Sequence, residues 1–209
     1  MKGYIFDMDG TLIDSMSYWI SSGIKLIKEI ILPLYPDIFK HENFDLNFSK
    51  ILLKEVEDKE LLREMYRRWV YEEMMENYLK VKPKNGIEQF LKKCKQEGIP
   101  MYCATATTKD LALSVLKRLN LAKYFDEIVC VDHGFKSKEY SDIFDYCASK
   151  MNLPHENIYV FEDNLDVMKV CKKAQYKIVG VKDSSNVNYQ KYFADVCDYI
   201  IDDYEKEVR

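Results

Sequence analysis

The sequence predicts an α/β fold: a doubly wound, mainly parallel sheet with a helical segment inserted after the first strand. Short apolar runs of strand length alternate with amphipathic helical segments along the second half of the chain. Strand–helix–strand repeats of this length favour parallel pairing. A second observation concerns residues 15–79, which contain helical patterns and no good strand pattern.

Five segments are predicted to be buried strands, because each is a short apolar run bounded by turn or helix signals. They are residues 3–6, 99–105, 127–131, 157–162 and 176–181. Helices are predicted between the later strands, in "GIEQFLKKCKQEG", "TTKDLALSVLKRLNL", "SDIFDYCASKMNLP" and "DNLDVMKVCKKA". Open parallel sheets bind ligands beyond the carboxyl ends of their strands, so polar residues at those ends are candidates for function.

The helical stretch after the first strand predicts a second domain. Its two helical patterns are "SYWISSGIKLIKEIIL" and "DKELLREMYRRWVYEEMMENYL", and Asp58 suits the N-cap of the second. "VKPKNG" at 81–86 has the composition of a turn and marks the return to the sheet. We therefore expect a core domain of residues 1–14 and 82–209 and a helical domain of residues 15–81.

Bulk composition excludes several functional classes. The 209-residue chain has a net charge of −4 and no cluster of basic residues, so it does not suggest a nucleic-acid-binding surface. No apolar run approaches the ~20 residues of a membrane helix, and "MKGYIF" leads into a strand rather than a signal peptide. The six cysteines include no C-x-x-C pair, which predicts a cytoplasmic protein.

Two pairs of acidic residues follow predicted strands. Asp7 and Asp9 come directly after the first strand, where they predict either a turn or a functional site. Glu162 and Asp163 end another buried strand, and turn chemistry at two separate strands is a poor explanation for both pairs. Clustered carboxylates repel one another unless a cation lies between them, so the two pairs predict a site for Mg²⁺ or a similar hard ion.

The acidic residues are not equivalent candidates. Asp7 is of a type that can form an acyl-phosphate, and a second carboxyl group at Asp9 can transfer a proton to a leaving alcohol. Asp163 is the expected metal ligand, with Glu162 binding directly or through water. Asp166, one helical turn further on, is either a weaker ligand candidate or a solvated charge in the first turn of a helix.

Donors for a phosphate group are also present. Thr105 ends a predicted strand, so its hydroxyl and the amide of Ala106 are expected to face the ligand crevice, next to the positive end of a helix. Lys136 and Lys138 precede the next helix, and either could neutralise a phosphoryl group.

These four pieces together resemble the motifs of a known family. "DMDGTLIDS", the threonine of "CATAT", a lysine before "YSDIF", and "FED" resemble, in order, the four motifs of the haloacid dehalogenase-like (HAD) hydrolase superfamily. The resemblance covers Lys2 to about Val181 and implies a Rossmann-like core. The helical insert resembles the small α-helical cap of the branch that contains β-phosphoglucomutase and phosphoglycolate phosphatase.

The resemblance implies a role for each matching residue. Asp7 would be the nucleophile, and Asp9 would be the general acid and base, with its backbone carbonyl on Mg²⁺. Thr105 would hydrogen-bond the phosphoryl group. Lys138, chosen over Lys136 by its spacing from the following helix, would bridge Asp7 and the phosphate. The metal ligands would be Asp7, Asp9 and Asp163, together with Glu162.

The resemblance also implies a reaction. A carboxylate at Asp9 favours phosphoryl transfer over dehalogenation, so we expect a Mg²⁺-dependent phosphatase that hydrolyses a small phosphorylated metabolite through an aspartyl-phosphate. A sugar phosphomutase is the first alternative; the mutase branch typically carries a histidine in its first cap helix, where this chain has Trp19. A non-catalytic binding or regulatory protein with the same fold is the second. The sequence leaves the substrate and the oligomeric state open.

Overall fold

The protein is described here by a computed structural model that covers residues 1–38, 52–135 and 137–207. The chain forms two compact units, one of Met1–Met16 and Val81–Arg209 and the other of Ser17–Lys80. Whether domain boundaries fall after residues 14 and 81, as the sequence suggests, stays a prediction.

The larger unit is built on a parallel sheet. In the described part of the chain it has six strands: β1 Gly3–Phe6, β2 Met101–Thr105, β3 Glu127–Cys130, β4 Ile158–Glu162, β5 Lys177–Val181 and β6 Tyr199–Ile201. Their order is β3-β2-β1-β4-β5-β6, and every neighbouring pair is parallel. The prediction of a doubly wound parallel sheet is therefore confirmed. The chain reverses its direction of travel across the sheet between β1 and β4, and this is where such folds bind ligands.

The strand predictions agree with the structure except at one edge. Each of the first five strands lies within its predicted segment, and the predicted segments run at most two residues too long at one end. Strand β6 was not predicted. It has only three residues, and Tyr199 and Ile200 are exposed, so the sequence shows no buried apolar run there.

The smaller unit is helical. Helix α1, Met16–Leu26, continues as a π-helical turn, Ile27–Ile31, and a further helical turn lies at 52–55. Helix α2, Lys59–Arg67, leads through π-helical Arg68–Glu73 into α3, Met74–Tyr78. The carboxylate of Asp58 accepts hydrogen bonds from the amides of Glu60 and Leu61, which confirms the predicted N-cap. Residues 39–51, between the two predicted helical patterns, lie outside the described residues.

Aromatic side chains hold the two long helices of this unit together. The indole Nε1 of Trp69 donates to the hydroxyl of Ser22 at 3.0 Å, and the rings of Trp19 and Trp69 meet edge to face. Gly23 allows this approach, because a Cβ atom there would lie 2.7 Å from the Trp69 ring. Ser22 and Trp69 are both buried, so they contribute to the packing of this unit.

The helices of the larger unit cover both faces of the sheet. They are α4 Ile87–Gln96, α5 Lys109–Arg118, α6 Asp142–Met151, α7 Leu165–Lys173, α8 Phe193–Val196 and α9 Tyr204–Glu207. On one face, α6 and α7 bury Phe144 and Met168 against Ile5 and Val160. None of the helices in the described ranges combines the length and apolarity that a bilayer crossing requires.

The opposite face of the sheet carries a cluster of aromatic rings. Phe6 of β1 stacks on Phe161 of β4 with ring centroids 4.3 Å apart, and both contact Phe90 of α4. Tyr204 of α9 packs against Phe90 and Phe161. Side chains packed on both faces of the sheet thus hold β1 and β4 in place at their carboxyl ends.

We predict that Phe6→Ala lowers the free energy of unfolding by about 3–5 kcal/mol, because it removes a fully buried ring and leaves a cavity. Urea titration followed by circular dichroism measures this loss. Tyr199→Ala is the matched control; its ring is 57% exposed, so a loss below about 1 kcal/mol is expected. Equal losses in the two variants would contradict this description of the core.

Candidate active site

The two predicted acidic pairs converge at the switch point of the sheet. Asp7 follows β1, Glu162 ends β4 and Asp163 comes next. The ladder continues one step past β1, since the amide of Asp7 donates to the carbonyl of Phe161 at 2.9 Å. Asp7, Glu162 and Asp163 are all buried, and each offers a carboxylate oxygen within 4.8 Å of the others.

Lys138 lies between two of these carboxylates. Its ammonium group donates to Oδ1 of Asp7 and to Oε2 of Glu162, each at 2.6 Å. The side chain is about 7% exposed, so the three charges form a buried ion pair network. The structure thus brings Lys138 to the acidic group, as its spacing suggested. The rival candidate Lys136 lies outside the described residues.

Both carboxylate oxygens of Glu162 have partners from the chain itself. Oε2 accepts from Lys138, and Oε1 accepts from the backbone amide of Asn164 at 3.1 Å. Glu162 therefore joins Lys138 to the start of α7. Asp166 is exposed and is not part of the three-carboxylate group, so its position fits a solvated charge in the first turn of α7.

The buried site holds more negative than positive charge. Burial, followed by the charge of Glu162, raises the pKa of Asp7 to about 7. Burial also raises the pKa of Asp163 well above its usual range, and the nearby carboxylates of Glu162 and Asp7 add to the shift. Burial alone would lower the pKa of Lys138, but Asp7 and Glu162 raise it above its ordinary value. The single positive charge of Lys138 does not balance the charges of three carboxylates, whereas an added divalent cation would.

The donor set suits a hard divalent cation. Oδ2 of Asp7 is buried and has no hydrogen-bond partner among the described residues, so it is available for a metal. Asp163 offers another carboxylate from the adjoining strand end. Mg²⁺ prefers oxygen ligands of this kind and usually binds through one or two carboxylates. The residues present therefore fit such an ion.

Asp9 lies apart from this acidic group and is held by hydroxyl groups. Its Oδ1 accepts from Ser15 at 2.6 Å and its Oδ2 from Thr107 at 2.8 Å. The two hydrogen bonds fix the orientation of the carboxylate. Binding of the metal through the backbone carbonyl of Asp9 stays a prediction.

Sequence reasoning missed Ser15 and Thr107. Thr107 lies 98 residues from Asp9 along the chain, so only the fold brings them together. A signal was nonetheless present, because both are small hydroxyl residues within or beside the first two motifs. Thr107 also donates its backbone amide to Oγ1 of Thr105 at 3.0 Å, which links it to a predicted phosphate-binding residue.

Thr105 and Ala106 occupy the carboxyl end of β2, next to β1. Thr105 is buried and Ala106 is exposed, two residues before the N-cap of α5 at Thr108. That N-cap makes no side-chain hydrogen bond; instead, Asp132 accepts from the amide of Lys109 at 2.9 Å. The phosphate-binding roles of Thr105, Ala106 and Lys138 stay predictions.

Comparison with known proteins places these residues in a family context. A model of the haloacid dehalogenase-like hydrolase family matches residues 4–181. The phosphorylated carbohydrates phosphatase of Thermotoga maritima is 30% identical over 193 residues, which cover 89% of this chain and 88% of that protein. The hexitol phosphatase B of Escherichia coli is 23% identical over 185 residues, covering 85% and 82% of the two chains.

Solved structures share the fold across nearly the whole chain. The crystal structure of a hydrolase from Pseudomonas syringae superposes with a TM-score of 0.80 at 19% identity, covering 98% of this chain and 95% of that one. At this level of identity the similarity supports the fold alone.

We predict that Lys138→Met lowers the free energy of unfolding by about 3–5 kcal/mol at pH 8 in chelator, because it leaves Asp7 and Glu162 buried without their cation. The loss relative to the wild type should shrink between pH 8 and pH 5. The reason is that the carboxyl group of Asp7, whose pKa is raised in the folded protein, becomes neutral as the pH falls through this range. Its repulsion of the neighbouring carboxylates then disappears.

Lys95→Met is the matched control for this measurement. Lys95 also pairs with a carboxylate, that of Asp126 at 2.9 Å, but its side chain is 46% exposed. A loss below about 1 kcal/mol with little dependence on pH is expected for a surface pair of this kind. A Lys138→Met protein that loses no more stability than the control would contradict the buried ion pair.

Proposed function

The chain belongs to the haloacid dehalogenase-like hydrolase family and is a phosphatase, and from this premise we propose that it hydrolyses a small phosphorylated metabolite with Mg²⁺ through an aspartyl-phosphate on Asp7. The observation that carries the proposal is the position of Asp7. Its carboxylate lies at the switch point of the sheet, against Lys138 and beside Asp163.

The first step transfers the phosphoryl group to Asp7. A carboxylate oxygen of Asp7 attacks phosphorus, and the bond from phosphorus to the leaving oxygen breaks. Asp9, in its protonated form, gives its proton to that leaving oxygen, so the product departs as an alcohol. Lys138 offsets the negative charge that collects around Asp7 and the phosphoryl oxygens.

The second step restores the enzyme. Water attacks the phosphorus of the aspartyl-phosphate while Asp9, now a carboxylate, takes a proton from it. The bond between phosphorus and the Asp7 oxygen breaks, which releases inorganic phosphate and regenerates the Asp7 carboxylate. The hydrogen bonds from Ser15 and Thr107 keep the Asp9 carboxyl group oriented between the two transfers.

Asp7 and Asp163 would hold the metal, and Glu162 and the backbone carbonyl of Asp9 are further candidates. A divalent cation bound there supplies positive charge that stabilises the phosphoryl oxygens in the transition state. Thr105 and the amide of Ala106, at the end of the neighbouring strand, would donate hydrogen bonds to the same phosphoryl group. All six cysteines are free thiols, which supports action in a reducing cytoplasm.

The proposal predicts that the protein hydrolyses p-nitrophenyl phosphate with Mg²⁺ and that Asp7→Asn lowers kcat by at least about 1,000-fold, because the amide of asparagine cannot replace the carboxylate that forms the acyl phosphate. Release of p-nitrophenol measures the rate. Asp195→Asn, the same substitution at an exposed position of α8, should keep the wild-type rate. Full activity of Asp7→Asn would show that the nucleophile is a different group.

The role of Asp9 predicts a dependence on the leaving group. An alkyl alcohol must be protonated as it leaves, whereas p-nitrophenolate leaves readily without a proton. Asp9→Asn should therefore lower kcat by about 100-fold or more for an alkyl phosphate and much less for the first step with p-nitrophenyl phosphate. Single-turnover kinetics isolates that step. Equal losses for the two substrates would contradict a general acid role.

A further inference from the structure

Asn186, which no motif singles out, lies directly behind the acidic group. It ends the short 3-10 turn Ser184–Asn186 after β5, and it is buried. Its amide nitrogen donates to the carbonyl of Asp163 at 3.1 Å and to the carbonyl of Val181 at 3.0 Å. The side chain thus connects the carboxyl ends of β4 and β5.

The amide group of Asn186 has its full complement of hydrogen bonds. In addition to the two that it donates, Oδ1 accepts from the backbone amide of Asp183 at 3.0 Å and from Nε2 of Gln190 at 2.8 Å. An amide has two donor hydrogens and two acceptor lone pairs, and all four are used. Aspartate would place an oxygen against two carbonyl oxygens, and leucine would leave all four partners without this hydrogen bond. Among side chains of this size, only asparagine fits the site.

We propose that Asn186 is a positioning residue that orients Asp163 for metal binding and thereby sets the affinity of the site for Mg²⁺. The inference rests on the proposed function, since it takes Asp163 as a metal ligand. Asn186 itself does not contact the metal or the substrate; it acts through the backbone of Asp163.

The backbone at Asp163 is where β4 turns into α7, so the direction of its carbonyl and that of its carboxylate are coupled. The next residue, Asn164, caps α7 by accepting from the amide of Asp166 at 2.9 Å. On its other side the carboxylate of Asp163 lies against Gly10, where an added Cβ would be 2.3 Å from Oδ2. Asn186 therefore holds the carbonyl of the same residue whose carboxylate is confined by Gly10.

The turn that carries Asn186 is itself anchored. The ammonium group of Lys84 pairs with the buried carboxylate of Asp183 and lies 3.6 Å from Asp14, near the end of the first motif. Asp183 also accepts from the amide of Ser185 at 2.8 Å. Because these contacts hold the turn in place, the hydrogen bond from Asn186 fixes Asp163 relative to the first motif.

Isothermal titration of the full-length protein with MgCl₂, without substrate, tests the proposal. We expect Asn186→Ala to weaken the dissociation constant for Mg²⁺ by about 10-fold or more, as substitutions behind a metal ligand typically do. The Mg²⁺ concentration for half-maximal hydrolysis of p-nitrophenyl phosphate should rise in parallel, while kcat at saturating Mg²⁺ stays within about threefold of the wild type.

Gln190→Ala is the matched control. It removes two hydrogen bonds from the same turn, those to the carbonyl of Asp183 and to Oδ1 of Asn186, and leaves the contact between Asn186 and the carbonyl of Asp163 in place. Its Mg²⁺ affinity should stay within about twofold of the wild type, since the bond to Asp163 is intact. The midpoint of thermal unfolding in EDTA, measured for every variant, reports any loss of stability that is independent of the metal. Asn186→Ser replaces Asn186→Ala if the latter does not fold.

The outcomes separate this inference from the function on which it rests. Wild-type Mg²⁺ affinity in the Asn186 variants would overturn the positioning role alone, and so would an equal loss in Gln190→Ala. A wild-type protein that binds no Mg²⁺ would overturn the proposed metal site itself. A selective loss of affinity in the Asn186 variants, beyond any change in the midpoint in EDTA, supports the proposal.

Discussion

The contact of Lys138 with both Asp7 and Glu162 is the interaction on which the rest of the site depends. Sheet order brings the ends of β1 and β4 together, and with them three carboxylates that repel one another in a buried space. Lys138 stabilises this group of carboxylates, because its ammonium group binds one carboxylate from the end of each strand. Burial, together with the nearby carboxylates of Glu162 and Asp7, raises the pKa of Asp163, and the remaining negative charge makes the site receptive to a cation.

The same contact distinguishes two neighbouring acids that the sequence presents as a pair. Both oxygens of Glu162 are engaged, one by Lys138 and one by the amide of Asn164. Asp163 instead points toward the glycine of the first motif and is positioned through its backbone. Glu162 is therefore better placed to hold Lys138 than to bind a metal directly. Asp163 remains the stronger candidate for a metal ligand.

How far the sequence predicts the structure depends on whether the signal is local. The five longer strands and the two acidic pairs could be predicted, since each is a short pattern read at one place. Strand β6 could not, because an exposed three-residue edge strand lacks a hydrophobic pattern. The contacts of Thr107 with Asp9 and of Asn186 with Asp163 join residues 98 and 23 positions apart, so only the fold brings each pair together.

Gly10 meets both a local and a distant requirement of the structure. Its positive φ of 83° suits the turn that follows Asp7 and Asp9. The structure adds a second requirement, because the space that a Cβ would fill is occupied by the carboxylate of Asp163, 153 residues later. A side chain at position 10 would thus strain the turn and displace the predicted metal ligand. The first motif and the "FED" motif are therefore in direct contact, by close packing as well as by charge. Because the Asp163 carboxylate packs against Gly10, only glycine fits between Asp9 and Thr11.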